Sequence, residues 1–73
     1  MSNSASKVID AIKQLNGDKS LPNGVGSDKV EKATGFSSEQ LTQICKELDG
    51  YPNLEITYGG NRVSYFSMSV GFN

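Results

Sequence analysis

Histidine and tryptophan are missing from this 73-residue sequence, and cysteine occurs once, at Cys45. Without histidine, the usual zinc-ligand sets and imidazole base chemistry have no donors. A lone thiol cannot close an internal disulfide, which suits a reducing compartment. No sign of charge prevails either: 7 basic residues stand against 8 acidic ones, for a formal charge of −1. General attraction to nucleic acid or an anionic membrane is therefore excluded, and any DNA affinity must come from a local patch. No apolar run comes near the roughly 18 residues of a membrane helix, and the start, MSNSASK, is polar rather than built like a signal peptide. These absences lead us to expect a cytoplasmic protein with no cofactor, no metal and no catalysis. Its length allows one core and leaves no room for a deep substrate cleft.

What is present is periodic. Residues 1–4 read as a frayed start to a single domain covering 1–73, with Ser4 or Ser6 capping a first helix over 5–16. Ala5, Val8, Ile9, Ile12 and Leu15 make its apolar stripe, and Lys7, Asp10, Lys13 and Gln14 face away. Asn16-Gly17 supplies a left-handed stop. The loop GDKSLPNGVG follows, with Leu21 as a one-rung strand or plug. A second helix over 27–34 starts at Ser27 or Asp28, where Asp28 and Glu31 have capping-box spacing, turns Val30 and Ala33 inward, and ends at Gly35. Ser37 and Gln40 form another such box for a third helix over 37–49, whose inner stripe is Leu41, Ile44, Cys45 and Leu48.

Beyond Pro52 the period becomes two. Leu54, Ile56 and Tyr58 alternate in one run and Phe66, Met68 and Val70 in another, with YGGNR as the hairpin turn between strands over 54–58 and 62–70. The alternation slips around Val63, Tyr65 and Phe66, which predicts a bulge or a change of face.

Over roughly residues 5–70 the order of helix, loop, helix, short glycine turn, helix and hairpin resembles the winged helix-turn-helix family. KVEKATGFSSEQLTQICKEL followed by LEITYGGNRVSYF carries the likeness. The resemblance implies an α+β fold of three helices and a small antiparallel sheet, with a short strand near Leu21. It also implies a recognition helix at 37–49, a wing at 54–70, and double-stranded DNA as the partner of a transcriptional regulator. The helical wheel turns Glu39, Thr42, Gln43 and Lys46 outward. Gln43 suits adenine, Lys46 guanine or phosphate, Thr42 a thymine methyl and Glu39 a cytosine amino group. Lys29, Lys32 and Ser38 are placed to anchor phosphates, and Asn61 and Arg62 occupy the wing tip.

Carboxylates at Glu39, Glu47, Asp49 and Glu55 crowd the same half of the chain. They fit a second reading, a winged-helix protein-interaction module, adaptor or subunit of viral or mobile-element origin. The Phe66, Met68, Val70, Phe72 alternation also suits a homodimer if it leaves an apolar strand exposed. Other chemistry finds less support. Gly24-Val25-Gly26 lacks the third glycine of a phosphate-binding loop, and the serines have no histidine partner. Tyr51, Tyr58 and Tyr65 suit sheet packing better than base stacking.

Overall fold

In the computed structural model, which describes residues 1–73, the chain opens directly into helix α1 (Asn3–Leu15). The expected frayed start is thereby corrected. Ser2, rather than Ser4 or Ser6, is the N-cap, and its hydroxyl accepts the Ala5 N–H. Residues Ala5, Val8, Ile9 and Ile12 are buried as their spacing predicts, joined by Ala11. Leu15, the last residue of the helix, is 38% exposed and lies outside the buried set. The stop is not left-handed: Asn16 is extended, at φ −72° and ψ 120°, and its side-chain oxygen accepts from Asn23.

Strand β1 (Asn23–Gly26) lies two residues later than the Leu21 rung, and its buried residue is Val25. Leu21 itself is 57% exposed. In place of a phosphate loop, Gly24-Val25-Gly26 forms backbone pairs in a sheet. Helix α2 (Ser27–Thr34) follows without a break, capped by the Gly26 backbone; the Asp28–Glu31 box does not form. Ala33 is exposed, and Thr34 takes the inward place instead. Gly35 ends the helix at φ +81°, a conformation that costs side-chain-bearing residues steric strain.

The capping box at Ser37 is present in full. Gln40 N–H donates to Ser37 Oγ at 3.1 Å, and Ser37 N–H donates to Gln40 Oε1 at 2.9 Å. Helix α3 (Ser38–Cys45) is shorter than the predicted span, since Lys46–Leu48 tighten into a 3₁₀ turn. Strands β2 (Leu54–Gly59) and β3 (Arg62–Met68) then form the hairpin. Its turn places Gly60 at φ +65° and leaves Asn61 negative, the pattern of a two-residue turn with glycine first. The bulge falls within the slipped segment: Thr57 pairs with Tyr65 and Tyr58 with Val63, so Ser64 has no partner. The extra residue lets Val63 and Phe66 both point inward despite their odd spacing.

All pairs are antiparallel, in the order β1-β3-β2. Phe66, fully buried, stands between Val25 and Ile56 on the core side of the sheet. Burying such a ring contributes about 1.5 to 3 kcal/mol. Three helices and an open antiparallel sheet make an α+β fold whose layout is compatible with a winged helix. Val70 lies beyond β3 and is exposed, whereas Phe72 returns to the core, its ring centroid 5.8 Å from that of Tyr51.

Cys45 is enclosed by this core, and burial pushes its thiol from 9.0 up to about 11. The unfolded chain releases that proton first. Stability from this group is therefore intact below about pH 9 and declines as pH rises toward 11. A thiol reagent at neutral pH should label Cys45 slowly in the native protein and rapidly after denaturation, and Cys45→Ala should cost about 1 kcal/mol in chemical denaturation. Fast native labelling would show that α3 is rotated from this packing.

Candidate nucleic-acid interface

The turn between α2 and α3 is built by backbone demands that the local sequence meets. Thr34 Oγ1 donates to the Val30 carbonyl at 2.7 Å and accepts from Phe36 N–H at 3.2 Å, bridging the end of α2 to the turn after Gly35. Lys7, expected to point into solvent, lies over the Phe36 ring at 5.3 Å from its centroid and ties α1 to the same turn. Between Ser4 of α1 and Gln40 and Gln43 of α3 there is a shallow groove floored by Phe36 and Ile44.

Of the residues assigned to the outer face of the third helix, Glu39, Gln43 and Lys46 are exposed. Thr42 is not. It is 7% exposed, and its hydroxyl donates to the Ser38 carbonyl at 2.7 Å while accepting the Val63 N–H at 3.0 Å. Both bonding functions are thus used inside the protein, and contact with a thymine methyl is withdrawn as a role. Threonine lies at the boundary of the apolar stripe, and the wheel alone cannot tell a solvated edge from one covered by a distant strand. Ser38 is half-buried, with its carbonyl engaged by Thr42.

The Thr42–Val63 bond has a geometric consequence. It ties the turn end of the hairpin to the middle of α3, and Asn61 and Arg62, both exposed, immediately precede the tied residue. Lys29 and Lys32 are exposed on α2, on the other side of the turn. Glu39, Gln43, Lys46 and Arg62 are thus all exposed, and Arg62 is the chain neighbour of the residue bonded to α3.

One contact had no signal in the sequence. Glu47, just past Lys46, accepts the Ser2 hydroxyl at 2.6 Å and the Ser2 N–H at 3.0 Å. These bonds, the side-chain one foremost, hold its carboxyl below the usual range. Glu47 is thus engaged with the N-cap of α1 rather than free to meet a ligand. The partners are 45 positions apart, and no local pattern links them. No three His, Cys, Asp or Glu side chains come together in a way that would hold a metal ion, and no helix is long and apolar enough to cross a membrane.

No protein-family model, curated protein or solved structure matches the chain. The geometry of the site must stand without a relative's example.

The role assigned to Thr42 can be measured. Thr42→Val keeps the shape and removes the acceptor, leaving the buried Val63 N–H without a partner, which should cost about 1 to 3 kcal/mol in urea denaturation. Thr42→Ser should recover most of that loss. Equal stability of all three proteins would remove the clamp from this account.

Proposed function

We propose that the protein is a winged-helix DNA-binding regulator without catalytic activity, which presents α3 to the major groove and the β2–β3 turn to the neighbouring backbone. The observation that supports this reading is the clamp between Thr42 and Val63, because it ties the turn end of the hairpin, next to Arg62, to the helix that exposes Gln43. One element then offers side chains suited to base edges and the other a cation suited to phosphate. With Thr42 removed from the readers, discrimination falls to Gln43, Lys46 and Glu39, with Lys29 and Lys32 as outlying phosphate contacts. Four cations are few for tight binding, and they imply weak affinity with a modest salt slope.

A second reading, docking of a protein on the same face, is favoured by one feature: Glu39 is exposed at the first turn of α3, where it opposes phosphate. The variants separate the two. Measured by fluorescence anisotropy on random and selected duplexes across a salt series, Arg62→Ala should weaken binding to all sequences alike and lower the salt slope by about one. Gln43→Ala should instead reduce discrimination between sites by about 1 to 3 kcal/mol. Glu39→Gln should raise non-specific affinity by relieving repulsion, while any preference for cytosine at its position fades. Absence of salt-dependent binding in the wild type at low ionic strength, unchanged in every variant, would replace DNA by a protein as the partner.

A further inference from the structure

The strand order β1-β3-β2 leaves one backbone edge of β2 with no strand beside it. Sheet edges are commonly blunted by lysine, proline or a covering segment. The six residues of β2, LEITYG, include neither lysine nor proline. Beside the strand lies a hollow of about 150 Å³ whose lining includes Leu48, Asp49, Leu54, Glu55, Ile56 and Tyr58. Side chains alternate along a strand, so Leu54 and Ile56 lean to one face and Glu55 to the other. A hollow touched by all three follows the backbone edge rather than either face.

Its chemistry is one-sided. The floor is apolar, from the buried Leu48 and the half-buried Leu54 and Ile56. The rim carries two carboxylates, Asp49 and Glu55, together with the 44% exposed Tyr58 ring, and no lysine or arginine lines the hollow. The negative field is felt there: the Tyr58 phenol is made harder to ionise by partial burial first, then by Cys45 and Asp49.

We propose that the free edge of β2 is a docking site for an extended segment of another protein, alternating apolar and basic side chains, which adds as a fourth strand. Backbone pairing to the edge supplies affinity, and the side chains supply selection. The apolar residues of the segment cover Leu54, Ile56 and Tyr58 on one face, and its cations meet the Glu55 carboxylate on the other, with Asp49 on the rim adding to the attraction. A second copy of β2 fits less well, because its single charge is Glu55 and self-pairing would bring a carboxylate to a rim of carboxylates. The surface is separate from the proposed DNA-binding face, since Glu39, Gln43, Lys46 and Arg62 are absent from its lining.

The test is a titration of the isotope-labelled full chain, followed by amide chemical shifts, with a blocked six-residue peptide of alternating valine and lysine. Valine–glutamate peptide of the same length serves as the control. Expected are shifts concentrated at Asp49, Gly50 and Leu54–Gly59 with the lysine peptide and none with the glutamate peptide. The double variant Asp49→Asn, Glu55→Gln should bind the lysine peptide about tenfold more weakly, the combined effect of two exposed charge contacts. Arg62→Ala, which should impair DNA binding, should leave peptide binding unchanged. The proposal is overturned by no shifts at millimolar peptide, by equal response to both peptides, by shifts centred away from β2, or by an unaltered affinity in the double variant. Concentration-dependent β2 shifts without peptide would also overturn it, by assigning the edge to a second copy.

Discussion

The relation between the helices and the hairpin depends on one hydroxyl group. Thr42 is the point at which α3 meets β3 through a directed bond rather than through apolar contact alone. Apolar packing is non-directional and tolerates sliding, whereas a hydrogen bond from a buried backbone N–H to one oxygen fixes position. The Val63 amide that makes this bond is buried and lies one residue before the unpaired Ser64. Thr42 thus meets the demand of an irregular strand and, in doing so, determines where Arg62 emerges.

Much of the architecture was legible because local signals agreed with one another. The Ser37–Gln40 box, the left-handed glycine at position 35, the hairpin glycine at 60 and the slip in alternation each correspond to a feature of the structure. Less legible were positions where tertiary contacts override pattern. Leu21 looked like the apolar rung of a short strand, yet Val25, between two glycines, makes it; a four-residue strand has too few side chains to announce itself. Asp28 and Glu31 had the right spacing for a cap, but β1 runs straight into α2 and Gly26 occupies the capping position.

The candidate site divides in the same way. Exposure of Glu39, Gln43, Lys46 and Arg62 follows from period and turn chemistry, which the sequence displays. Burial of Thr42, the Ser2–Glu47 contact and the placement of Lys7 over Phe36 depend on residues 21, 45 and 29 positions apart. Helical spacing says which residues share a face, and only the packed chain says which neighbour covers it.

The core is closed by residues from the far ends of this sequence: Ala5 and Val8 on one side and Phe72 on the other belong to the same buried cluster. Phe72 packs on Tyr51, whose hydroxyl donates to the Asn73 carbonyl at 3.0 Å. A core joined across so much of the sequence is built from long-range contacts, whose loop-closure cost slows folding relative to a domain held by local contacts alone.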